Sequence, residues 1–196
     1  MISFIKNNKL LSFMILISII VCILGIITSS IFDDDSRKLI LSNINNIISN
    51  IKNKNIYTLN NFLKCFSNNF IFCIIIWFFG ISIIGLPIVI FLYSMKLFLF
   101  TIEFMYLFIN IKTTGIIFNI IYLIPDIINI ILLFLITYYS ISYSNVLFKY
   151  LFKKRNYPLQ KITRKYCKIL LITIFIYLVS SIIEVFIIPR ILIYIL

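Results

Sequence analysis

The chain contains no histidine and no alanine, few glycines and prolines (four of each), a single tryptophan, and six acidic residues against 18 lysines and arginines. Without histidine there is no imidazole general base, no His-based nucleophilic triad and no His-ligated zinc, so the commonest catalytic arrangements are excluded. The four cysteines, Cys22, Cys65, Cys73 and Cys167, show no CxxC spacing and are read as unpaired. Charged residues make up only 12% of the 196 positions, where a soluble domain carries about 25%. No catalytic, cofactor-binding or metal-binding set is expected, and the protein is read as a non-enzyme.

What is present is hydrocarbon. Apolar residues make up 62% of the chain, rich in Ile, Leu and Phe, far more than one small core can bury. Five membrane spans of roughly 20 residues each would absorb most of them. The expected fold is therefore an all-α integral membrane protein with about five transmembrane helices. The formal charge of +12 sits beside apolar runs rather than on a soluble basic domain. It is read as topology and contact with the lipid bilayer, and no nucleic-acid partner is expected.

A tail at 1–9 carries Lys6 and Lys9 and should stay cytoplasmic. The first span covers 10–32 and ends at Asp33, Asp34 and Asp35; it is too long for a signal-peptide core and lacks a small-residue cleavage site. An extracytoplasmic segment follows at 33–68, in which Ile40, Ile44, Ile47, Ile48 and Ile51 fall on one helical face. This amphipathic stripe either rests on lipid or docks a partner protein. Thr58 is placed to cap a second short helix carrying Leu59, Phe62, Leu63 and Phe66 on one face.

Residues 69–144 hold the second, third and fourth spans. The apolar run from Phe70 to Ile111 would be about 63 Å long as one helix, roughly twice the hydrocarbon thickness, so it folds back. Two corners are open to it, one at Gly85-Leu86-Pro87 and one near Lys96. Gly80 and Gly85 also suit a seam where backbones approach closely. In the fourth span, Pro125 allows a kink, or the long helix emerges beyond the bilayer.

Lys149, Lys153, Lys154, Arg155, Lys161, Arg164, Lys165 and Lys168 crowd residues 145–168 without one acid. That imbalance marks a basic cytoplasmic loop touching the inner leaflet; the segment 169–196 then holds a fifth span, Ile169 to Ile188, and a short tail from Pro189 that leaves the carboxy terminus outside. Glu103, Asp126 and Glu184 lie inside three different spans, where each acid costs on the order of 2.5–3.5 kcal/mol at a helix centre. They either fix the bundle by interhelical hydrogen bonds or line an ion or proton path; the first reading is preferred, and the second makes the chain a small transporter or channel subunit.

The stretch Trp77-Phe-Phe-Gly-Ile-Ser-Ile-Ile-Gly-Leu-Pro87, with the closing Ser181-Ile-Ile-Glu-Val-Phe-Ile-Ile-Pro189, resembles the stage II sporulation protein M family, as does the order of spans. Gly80, Gly85, Pro87, Glu184 and Pro189 carry the likeness most specifically. Met95-Lys-Leu-Phe-Leu-Phe100 departs from it, where glycine-rich packing would be expected. The resemblance implies a scaffold of the sporulation engulfment machinery, a multi-pass anchor acting with stage II sporulation proteins D and P, which degrade peptidoglycan. It implies nothing about oligomeric state.

Overall fold

A computed structural model describes residues 9–31, 42, 58–109, 116–153 and 158–195. The outer isoleucine stripe (Ile40, Ile44, Ile47, Ile48, Ile51) and the basic residues Lys154 and Arg155 lie outside the described residues. The described chain is helical: α1 Lys9–Ile31, α2 Leu59–Gly80, α3 Leu86–Ile109, α4 Ile116–Lys153, α5 Leu159–Ile182, a π-helical turn Ile183–Ile187 and α6 Ile188–Ile195. Five helical stretches are long and apolar enough to cross a membrane. The protein is an all-α membrane protein.

The second span is longer than its apolar run. Thr58 accepts a hydrogen bond from the Asn61 backbone N–H at 3.3 Å, and the helix it caps continues unbroken to Gly80. The short helix expected after Thr58 and the span beginning near Phe70 are thus one element. Asparagines at 60, 61, 68 and 69 make its first half read as polar. Its aromatic residues pack along one edge, with Phe66 stacked between Phe62 and Phe70 at 6.2 and 5.3 Å.

The corner between α2 and α3 is at Ile81–Gly85, and Lys96 lies in the middle of α3. Gly85 is required there by close approach: a Cβ at this position would overlap the Phe79 carbonyl oxygen and stand 2.9 Å from its carbon. Pro87 follows in the first turn of α3, where its missing N–H breaks no helical hydrogen bond. Ser144 of α4 donates to the Ser82 carbonyl at 3.2 Å and ties the corner to the bundle.

α4 runs through Pro125 as a single 38-residue helix, about 57 Å long. It therefore outreaches the hydrocarbon, and most of the basic segment is helical extension of α4 and α5. The final span continues beyond Ile188 because a π turn precedes Pro189. A proline ring in a regular helix collides with the carbonyl four residues back, and the wider turn, closed by Ile188 N–H on the Ile183 carbonyl, relieves that collision.

α3 and α4 form the centre, with α1 packed on α3, and with α2 and α5 packed on α4 and on each other. The core joins Met14 and Val21 of α1, Ile76 of α2, Val89 and Tyr93 of α3, Ile136 of α4 and Tyr177 of α5. Large apolar side chains also cover the outside, among them Phe13, Leu16, Ile20, Phe91, Ile131 and Phe175. A surface of that kind belongs against lipid. The 81–85 corner and the basic segment share one end of the bundle, hereafter the basic end; Glu103, Asp126 and Glu184 lie in the opposite half, judged by helix direction and residue order.

Candidate functional site

On α4, Asn119, Tyr122, Asp126 and Asn129 recur at spacings of three, four and three, a polar stripe on an apolar helix. On α2, Cys65 and Asn69 are four residues apart; on α3, Lys96 and Glu103 are seven apart, two turns along one face. These stripes converge. Tyr122 Oη donates to Glu103 Oε1 at 3.4 Å, joining α4 to α3. Lys96 Nζ stands 4.4 Å from the centre of the Phe72 ring on α2, and it lies within electrostatic reach of Asp126 first, then of Glu103 and Glu184.

Asp126, Lys96, Asn69 and Asn129 line a cavity of about 110 Å³, with Phe72 and Tyr177 among its apolar lining. That volume admits several waters. Asn129 is 7% exposed, and its side-chain oxygen has no hydrogen-bond partner among the described residues. Its backbone carbonyl accepts from Tyr177 Oη at 3.3 Å. Glu184 sits on the π turn beside Cys65, whose thiol donates to Ser181 Oγ at 3.7 Å. Glu103 and Glu184 do not line the cavity, and among the described residues no three His, Cys, Asp or Glu side chains gather closely enough to hold a metal ion.

The second convergence is at the basic end and is a packing seam. A Cβ on Gly80 would overlap Tyr166 Oη and stand 2.6 Å from Ser140 Cβ, so α2 lies close against α4 here and the Tyr166 side chain of α5 reaches into the gap. Tyr166 Oη donates to the Trp77 carbonyl at 2.9 Å; its one proton being committed, Ser140 Oγ donates to Tyr166 Oη at 2.7 Å. Tyr166 is stacked between Trp77 at 5.6 Å and Tyr143 at 4.5 Å. A similar approach joins α1 to α3, where Gly25 faces Thr101 at a distance that leaves no room for a Cβ.

Of the residues singled out by sequence, Gly80 and Gly85 occupy a seam and a corner, and Pro125 stands immediately before Asp126 inside α4. Glu103, Asp126 and Glu184 are brought within electrostatic reach of one another. Arg164 and Lys165 are exposed on α5; Lys153 ends α4. Nothing in the sequence by itself singles out Asn69 or Tyr166, and Tyr122 and Asn129 stand out only by their spacing from Asn119 and Asp126. The role of Tyr166 depends on three helices meeting.

All four cysteines are free. No curated protein and no solved structure matches the chain. A family model described as stage II sporulation protein M matches residues 4–189, nearly the whole length. With five apolar helices along that stretch, the chain belongs to the stage II sporulation protein M family, a sporulation-related family of membrane proteins.

Proposed function

We propose that this protein is a non-catalytic scaffold of the engulfment machinery, holding peptidoglycan-degrading enzymes at the membrane that advances around the forespore. The observation that carries the reading is the family match over residues 4–189. Stage II sporulation proteins D and P are the partners it implies. The interior supports a holding role, since polar side chains are spent on latching helices: Tyr166 to Trp77, Tyr177 to Asn129, Tyr122 to Glu103 and Tyr93 to Ser18 at 2.6 Å.

In this reading the amino terminus and the basic end face the cytoplasm, and the carboxy terminus and residues 33–57 face the wall side. The outer isoleucine stripe then docks the enzymes. Affinity isolation of the full chain from sporulating membranes is expected to bring both proteins down, and deletion of residues 36–54 to lose them while the five spans stay inserted. Isolation of the intact chain without either protein overturns the scaffold role; retention by the deleted chain removes the outer segment as the docking site.

The cavity at Lys96, Asp126 and Asn129 favours a second reading, a small transporter or channel subunit. Solute or proton flux in reconstituted vesicles, abolished by Asp126→Asn with insertion unchanged, is the result that would put it ahead.

A further inference from the structure

At the basic end, the facing sides of α4 and α5 leave a groove of about 210 Å³ whose lining includes Tyr139, Tyr143, Val146, Ile162, Lys165 and Tyr166. It is smaller than the roughly 300–1,000 Å³ of a drug-sized ligand site. Its floor is aromatic and aliphatic, and Tyr143 is hydrogen-bonded to Thr163 at 2.8 Å. Among the described residues, one cation belongs to the lining. Lys165 is exposed, and its ammonium group stands 5.8 Å from the centre of the Tyr139 ring, at the edge of the groove.

Charge in this part of the chain is one-sided. Lys161 and Lys168, four residues before and three after Lys165, flank it on the same helix. No aspartate or glutamate occurs between Asp126 and Glu184, so this end of the bundle carries no carboxylate of its own from either helix. Beside a bilayer, the anion available to such a site at the border of headgroup and hydrocarbon is a lipid phosphate. The apolar floor continuing from the cation is what distinguishes a lipid from a soluble phosphate.

We propose that the α4/α5 groove binds one anionic phospholipid, its headgroup held at Lys165 and the start of an acyl chain lying on Tyr139, Val146 and Ile162. Lys161 and Lys168 supply further attraction without lining the groove. The site is independent of whether the wall hydrolases are partners, and it places a lipid ligand where the positive-inside pattern by itself demands only a diffuse surface charge.

The chain's single tryptophan makes the site readable, because Trp77 is stacked on Tyr166, which lines the groove. The full chain is reconstituted in phosphatidylcholine nanodiscs containing a small fraction of either bromine-labelled phosphatidylglycerol or bromine-labelled phosphatidylcholine, and Trp77 quenching is followed. Phosphatidylglycerol is expected to quench at a lower fraction than phosphatidylcholine. Lys165→Gln should lose about tenfold or more of that preference, the worth of a charge-assisted hydrogen bond to phosphate, and Lys149→Gln clearly less. Lys165→Arg should keep it. Val146→Phe, which fills the groove and leaves every charge in place, should lose it. Equal quenching by the two lipids overturns the proposal. So does equal loss of preference in Lys165→Gln and in the control Lys149→Gln, or full preference in Val146→Phe, since each would mean a diffuse basic surface and no built site.

Discussion

Tyr166 of α5 donates its hydroxyl hydrogen to the carbonyl oxygen of Trp77, 2.9 Å away near the end of α2, across a gap that exists because residue 80 is a glycine. The two rings are stacked at 5.6 Å, so one contact supplies a hydrogen bond and an aromatic pair. Without a hydrophobic driving force between helices in lipid, such close packing and polar latching must hold the bundle together.

Gly80→Ala places a methyl group against Tyr166 and Ser140 and is expected to lose about 1–3 kcal/mol through overpacking. Tyr166→Phe removes the bond to Trp77 and should lose about 1 kcal/mol. Because the two substitutions act on the same contact, the double variant should fall short of their sum. Reversible unfolding of the purified protein in mixed micelles measures all three.

Lys96→Met removes the cation within reach of Asp126, Glu103 and Glu184 and should destabilise the bundle. Asp126→Asn in the same chain is expected to restore part of that loss, with a coupling of about 0.5–3 kcal/mol. The same unfolding assay reads it; simple additivity would place Lys96 and Asp126 outside one cluster.

Pro189→Ala restores a backbone N–H and removes the ring that the π turn accommodates. A regular helix there drops one residue from the turn and rotates the α5 side of the span against the α6 side by about 100°. Cys65, packed beside Ser181 and Glu184, should change its alkylation rate in the detergent-solubilised protein, while exposed Cys167 on α5 should not.

How much of this is legible in the residues depends on the kind of signal. Long apolar runs show the five helices, because only a bilayer accepts that composition. The corner between α2 and α3 is open in the sequence between Gly85 and Lys96, since a charge in an apolar run reads as a loop marker; Lys96 stays inside α3 with its ammonium over the Phe72 ring and within reach of Asp126. Pro189 reads as the end of a span, yet the π turn carries the helix past it to Ile195. The acids stand out singly, but their convergence with Lys96, Asn69 and Asn129 depends on how four spans rotate about their axes, and periodicity within one helix does not specify that. The isoleucine stripe between Ile40 and Ile51 falls outside the described residues.

The proposed topology has an odd number of crossings with the basic end inside the cell. Cys167 lies on α5 among those basic residues and is exposed. In a chain carrying Cys22→Ser, Cys65→Ser and Cys73→Ala, a membrane-impermeant maleimide applied to sealed cells should leave Cys167 unlabelled and should label it once the membrane is permeabilised. Labelling of Cys167 in sealed cells to the same extent would contradict the topology, and with it the wall-side position of the outer segment.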